Sequence, residues 1–163
     1  MDLGSIGGWI KVAYDWLVNR RREEESRKKS FKVLLDELHN IKGICDTNTA
    51  TILKEMSELH PTAPLFFSTP TPLSTLGWES LRSSGISATL EVSTRDRLYA
   101  IYNQIASHNE VIALRRDHIT SDTPKIILPM YIKDDDGKLL AILESIRTEI
   151  GIVEPDIGRR ADC

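Results

Sequence analysis

Residues 31–59 read FKVLLDELHNIKGICDTNTATILKEMSEL, and the fold follows from how this stretch is patterned. Phe31, Leu34, Leu38, Ile41, Cys45, Asn48 and Ile52 recur at alternating steps of three and four. Such spacing is a heptad-like seam along one side of a helix. Leu35, Leu53, Met56 and Leu59 widen the seam into the apolar face of a globular helix. A helix with one such face cannot bury it alone, so later segments must cover it. Gly43 is a soft point within it. Asn48 on the seam, with Thr47, Thr49 and Thr51 beside it, makes 46–51 the place where the helix would divide if it divides.

Two further segments carry the same period. After Ser93-Thr94-Arg95-Asp96, which resembles a capping box with Asp for Glu, Leu98, Ile101, Tyr102, Ile105, Asn109, Ile112 and Ile119 share a face up to about Thr120. From about Asp135, Leu139, Leu140, Leu143, Ile146 and Ile150 form a last helix, with Gly151 and Pro155 as its expected stop. Between them, Pro61, Pro64, Pro70 and Pro72 mark a loop. Its Leu65, Phe66 and Phe67 are expected to plug one end of the core. Ser74 or Thr75 is positioned to cap a short helix through Trp78 and Leu81, ended by Gly85. The apolar run at 125–132 fits either a helical turn or an extended piece. The fold class expected is all-α: an antiparallel bundle of about four helices, with one long N-terminal helix and a Pro-rich connection. Its organisation is residues 1–30 as an amphipathic helix and charged segment, 31–152 as the bundle, and 153–163 as a disordered tail.

Composition sets the class. The 163 residues are 40% hydrophobic and 28% charged with a net charge of −3, ordinary for a folded domain and without a global pull toward nucleic acid. Two cysteines, Cys45 on the seam and Cys163 at the end, build neither a disulfide framework nor a zinc site. This fits a cytoplasmic setting. No run approaches the ~18 apolar residues of a spanning helix, and no basic region precedes the first apolar stretch as a secretory signal requires.

Motifs for chemistry fail one by one. KDDDGK, residues 133–138, places Ile132 and Leu143 where a calcium loop needs ligands. His39, His60, His108 and His118 form no paired metal motif, and a surface or boundary position is expected for them. Gly77-Trp78-Glu79-Ser80 is not a nucleophile elbow, and Gly4 to Gly8 is not a phosphate loop. The reading is therefore non-enzymatic, with no cofactor and no metal. Tyr102, Asn109 and Asn48 offer an alternative, a small-ligand sensor with a polar pocket between helices. If buried, each asparagine must be satisfied or cost about 1–3 kcal/mol.

The N-terminus holds the functional signal. Leu3, Ile6, Trp9, Ile10, Ala13, Trp16 and Leu17 share one helical face, weakened at its start by Gly4, Gly7 and Gly8 so that the helix should firm up from Trp9. Residues 20–32 follow with seven basic side chains, among them Arg20, Arg21, Arg22, Lys28 and Lys29, and three acids. Pairs such as Arg20 with Glu24 sit four apart, so the charged run continues the helix in solvent. Tryptophan beside a polybasic run suits a membrane interface, and the same stripe suits another chain's helix. The expected contact set is Ile6, Trp9, Ile10, Trp16, Leu17, Arg20, Arg21, Arg22, Lys28 and Lys29. The expected partner is a protein or a second copy, with a membrane surface as the other reading and no nucleic acid. The protein would then be cytoplasmic, at most peripheral to the inner face of the membrane.

The run Leu35…Leu38, then Phe66-Phe67…Trp78-x-x-Leu81-x-x-Ser84-Gly85, then Leu98…Tyr102…Ile105…Asn109, resembles a loose group of small uncharacterised prokaryotic helical-bundle proteins, usually with an N-terminal membrane anchor. The resemblance covers about residues 30–120 and implies neither an activity nor catalytic residues. Residues 3–18 depart from the group, being amphipathic and too short to span.

Overall fold

In the computed structural model the described residues are 3–58, 67–121 and 128–162, with side chains described from Tyr14 onward. They form four α-helices: α1 (Leu3–Glu58), α2 (Leu76–Ser83), α3 (Val92–Thr120) and α4 (Leu128–Asp162), with a 3-10 turn at Ile86–Thr89. No strand occurs among the described residues. The all-α bundle with a long first helix and a Pro-rich connection is what the chain builds. Leu65 and Phe66, expected to plug one end, lie outside the described residues, as do 125–127 of the ambiguous apolar run.

Helix α1 is a single element of 56 residues, about 84 Å long at 1.5 Å per residue. It passes through 46–51 without dividing. The Thr47 and Thr51 hydroxyls donate to the carbonyls of Gly43 and Thr47, so these side chains back-bond to the helix instead of competing with it. Its helical backbone already begins at Leu3, ahead of the expected Trp9.

Contacts along the helices fix the topology. His39 meets Glu154 at 2.8 Å and Asp46 meets Arg147 at 2.9 Å, so α4 runs antiparallel to α1. Thr94 meets Asp156, Gln104 meets Ser145, and Arg115 meets Asp136, so α4 is antiparallel to α3 as well. Helices α1 and α3 are therefore parallel, and the chain between them must travel back along the bundle. That return path, with α2 and the 3-10 turn, takes the fourth position. Every seam residue from Phe31 to Ile52 is buried, together with Leu98, Ile101, Ile105 and Ile112 of α3 and Leu139, Leu143, Ile146 and Ile150 of α4. Each buried Leu, Ile or Phe stabilises by about 1.5–3 kcal/mol relative to exposure. Cys45 is one of them, and burial pushes its thiol up to about 11.

Three expectations are corrected. The tail is not disordered: α4 continues through Gly151 and Pro155 to Asp162, because Val153 and Ile157 are buried in the core. The Ser93–Asp96 box does not cap α3. That helix starts at Val92 after Glu91 with no side-chain cap, and Thr94 lies inside it, donating to Asp156 at 3.0 Å. Nor does Thr75 cap α2 through its side chain, whereas the Ser74 hydroxyl accepts the Leu76 N–H at 3.3 Å. Glu37 on α1 takes the next two donors: its Oε1 accepts the Gly77 N–H (2.9 Å) and the Ser74 hydroxyl (2.8 Å), and its Oε2 accepts the Trp78 N–H (3.1 Å). A carboxylate beside the open N–H groups of a helix start is favoured by both hydrogen bonding and the helix dipole.

Candidate functional site

The expected contact residues all fall on one part of α1. Described side chains from Tyr14 to Lys29 are exposed or half-buried, and the first wholly buried one is Phe31. Trp16 is 56% exposed, Leu17 52% and Tyr14 66%, well beyond what core-facing apolar groups show. Arg20, Arg21, Arg22, Lys28 and Lys29 are exposed beside them. The side chains of Ile6, Trp9 and Ile10 lie outside those described.

The register of the bundle explains the exposure. Each step forward on α1 is a step back on α4, so Asp162 comes level with Phe31. Residues 3–30 therefore extend past the end of α4, as an arm of about 42 Å. Local contacts support the arm's helix. Arg20 Nε pairs with Glu24 at 3.3 Å, the Arg20 guanidinium lies 5.3 Å from the Trp16 ring centre, and the Ser30 hydroxyl donates to the Ser26 carbonyl. The bundle end also supplies a formed helix from which the arm propagates without a new nucleus.

The alternative pocket residues are engaged by their own chain. Asn48 Nδ2 donates to the Thr71 carbonyl at 2.8 Å while its Oδ1 accepts the Thr71 N–H at 2.9 Å. Asn109 treats Leu73 in the same way, at 3.0 and 2.9 Å. Pro70 and Pro72 have no N–H, so the two asparagines satisfy the donors of the two residues that follow them. The side-chain amides act as strand partners for an extended segment that has no sheet. The Tyr102 hydroxyl donates to Glu37 Oε2 at 2.6 Å, and burial followed by that hydrogen bond raises its pKa. Its ring stacks on Trp78 at 5.4 Å between centroids. The three residues thus hold the return connection and α2 against α1 and α3.

A second polar cluster escaped the sequence reading. Arg115 of α3 is wholly buried, and its guanidinium donates to Glu55, to the Ser68 carbonyl and, through Nε at 2.9 Å, to Asp136 Oδ1. Glu55 Oε2 also accepts the Ser68 N–H and hydroxyl. Asp136 is completely buried, and among the described residues its Oδ2 has no hydrogen-bond partner. Desolvation holds its pKa above the ordinary carboxylate value despite Arg115. Nearby, His118 Nδ1 lies 2.9 Å from Asp135 Oδ2 and its ring stacks on Tyr131. The signal was positional: Glu55 and Arg115 each lie three residues beyond a core isoleucine on its own face. His108 is also a core residue, not a boundary one. Burial lowers its pKa, and its Nδ1 lies 3.2 Å from Asn109 Oδ1.

Among the described residues no group of three or more His, Cys, Asp or Glu side chains is arranged to hold a metal ion, and no helix is long and apolar enough to cross a membrane. Compared with family models, curated proteins and solved structures, the chain matches none.

Proposed function

We propose that the protein is a non-enzymatic interaction module that works by holding out its N-terminal helical arm for a binding partner. One observation carries this reading: the helix that forms the core seam continues beyond the bundle with Trp16 and Leu17 more than half exposed. Tyr14, Trp16 and Leu17 gather large apolar side chains within one turn of a supported helix, and such a grouping fits a surface that another molecule covers. The bundle is the rigid base. Its polar networks at Glu37, Asn48, Asn109 and Arg115 are used for holding segments together.

The charge distribution supports the same reading. The arm and its junction, residues 1–32, sum to +3, whereas the whole chain is −3. The remaining 131 residues, 33–163, are therefore −6. The contact element and its base differ in sign, which favours orientation of an approaching partner.

The test compares the full chain with Trp16→Asp/Leu17→Asp. Three measurements are made: flotation with anionic vesicles, capture of proteins from a lysate, and solution mass. Loss of any one of these associations in the variant, with its bundle still folded, supports an arm-borne contact. Identical behaviour in all three removes the proposed role.

A further inference from the structure

Asn109 Oδ1 joins the connector to a buried imidazole. It accepts the Leu73 N–H at 2.9 Å and lies 3.2 Å from His108 Nδ1. Asn109 Nδ2 donates to the Leu73 carbonyl, which fixes the orientation of the amide. His108 Nδ1 must therefore carry the ring proton, and Nε2 the lone pair. His108 is completely buried, and among the described residues its Nε2 has no hydrogen-bond partner. A second proton would put an N–H where nothing accepts it. The neutral ring fits this site and the imidazolium does not.

Among the described residues no unpaired acid stands beside the ring. The helix register sets His108 level with Ile52 of α1 and with Ile142 and Leu143 of α4. Connector residues 67–75 and α4 residues 139–143 contain no ionisable side chain. On the seam of α1 the ionisable groups to either side are Cys45 and Glu55, and Glu55 is committed to Arg115 and Ser68. On α3, Tyr102 gives its hydroxyl to Glu37, Arg115 is held by Glu55 and Asp136, and Glu110 is exposed. Helix α2 carries Glu79 and Arg82, both exposed. Burial accordingly holds the imidazole below its ordinary value, against the bond to Asn109.

The connector is the weakest cover of this site. Among the described residues, 67–74 form no backbone–backbone hydrogen bond. The N–H groups of Ser68, Thr71 and Leu73 go instead to the side chains of Glu55, Asn48 and Asn109. Pro70 and Leu73 are its buried anchors, whereas α1, α3 and α4 each bury a whole seam. We infer that the connector is a strap that acid releases, with His108 as its trigger. Lifting Leu73 from Asn109 brings water to the imidazole, which then takes a second proton at Nε2. The charged ring has no place in the closed site, so the strap stays off until that proton leaves. Release frees the Asn48 and Asn109 amides along the groove between α1 and α3.

The closed form binds one proton fewer than the open form. Its advantage is therefore complete above the ordinary imidazole value of 6.5 and shrinks as pH falls through it. While the closed ring stays neutral, the opening constant rises about tenfold between pH 7.5 and 5.5.

Amide hydrogen exchange on the full chain, corrected for the intrinsic effect of pH, tests this. At every pH the N–H groups of Ser68, Thr71 and Leu73 should open more often than those of Ile41, Ile105 and Ile146 in the helix centres. Over the same pH range the strap's opening constant should show the tenfold rise. His108→Gln keeps a donor for Asn109 and has no charged form, so its strap should lose that rise. Imidazole nitrogen shifts of the native chain give a reading that needs no variant. At the acid end of the range the ring should still be neutral, with its proton on Nδ1. Strap amides that open no more often than the helix centres would mean that only whole-chain unfolding frees the ring, which overturns the strap. A strap that opens equally often at both ends of the range overturns the trigger. So does a rise that persists in His108→Gln, or an imidazolium held inside the closed chain.

Discussion

The Glu37 carboxylate and the Gly77 backbone are in contact across α1 and α2. The Gly77 N–H donates to Glu37 Oε1 at 2.9 Å, and a Cβ built on Gly77 would stand 2.8 Å from Oε2. Propensity alone says that Gly77→Ala stabilises α2 by about 1 kcal/mol. The contact says otherwise. Glu37 is tied to Ser74, Gly77, Trp78 and Tyr102, so it cannot move aside without loosening several charge-assisted bonds. Gly77→Ala should therefore destabilise, and Glu37→Ala should cost about 2–3 kcal/mol by the usual value of hydrogen bonds to a charged group. Urea unfolding of both variants checks this, and a more stable Gly77→Ala protein would show that Glu37 is not held.

Asn48 and Asn109 grip neighbouring residues of one connector from two different helices. Replacement by Ala should cost about 1–3 kcal/mol at Asn109, whose partner Leu73 is buried, and nearer the low end at Asn48, whose partner Thr71 is exposed and can turn to water. Once one grip is lost the connector can move out to water, so the second replacement should cost less. The double variant is expected to fall short of the sum by at least about 0.5 kcal/mol in a double-mutant cycle. Strict additivity would mean that the two ends of the connector are independent.

The seam from Phe31 to Ile52 was legible because a 3.5-residue repeat of large apolar groups has one physical solution, a helix covered along one side. The solvated continuation through Arg20 to Lys32 was legible for want of any breaker. The end of α4 was not, since Gly151 and Pro155 are local signals and the burial of Val153 and Ile157 is a tertiary one. Glu37 and Arg115 were missed for a related reason. A charged residue beside an apolar stripe reads as solvated until the facing element is known. Asn48, Tyr102 and Asn109 read from sequence as the lining of a polar pocket between helices, and in the structure each is bonded within its own chain. The partners of the two asparagines lie on the connector, whose path no periodicity reveals, and Tyr102 bonds Glu37 of α1.

Arg115 balances Glu55 and Asp136 in a site with almost no water contact. Arg115→Met would leave two carboxylates buried without a cation. By the usual cost of breaking a buried ion pair, the loss should be about 3–5 kcal/mol. Arg115→Met combined with Glu55→Leu and Asp136→Leu removes the charges together and should recover much of that loss. Chemical denaturation of the single and triple variants decides it, and equal losses would show that shape, not charge, is at stake.

The raised pKa of Asp136 gives a pH signature. Its folded form holds a proton more tightly than the unfolded chain, whose carboxylate has the ordinary value of 3.8. Stability from this group is present below 3.8 and is lost as pH rises through the folded value. Other carboxylates titrate in the same range, so the comparison must be with Asp136→Asn. The stability of the native chain minus that of the variant should fall as pH is raised from about 3.8 and then level off. A difference that rises instead would mean that Arg115 outweighs desolvation.

The last turns of α4 run against local preference. Gly151 costs about 1 kcal/mol in a helix interior, and Pro155 about 3, since its ring opposes the carbonyl of Gly151 and it offers no N–H. Burial of Val153 and Ile157 offsets this, with side-chain anchors on either side of Pro155. Glu154 is held by His39 at 2.8 Å and Lys42 at 3.3 Å, which keep its carboxyl below the usual value, and Asp156 by Thr94 and Arg160. Two variants separate the terms. Pro155→Ala should stabilise by as much as about 3 kcal/mol, because Pro155 is exposed and contributes no core packing. Ile157→Ala should destabilise by about 2–5 kcal/mol, the range for a buried isoleucine. If Ile157→Ala were neutral in urea unfolding, the tail would not be packed on the core, and helix α4 would end where Gly151 and Pro155 suggest.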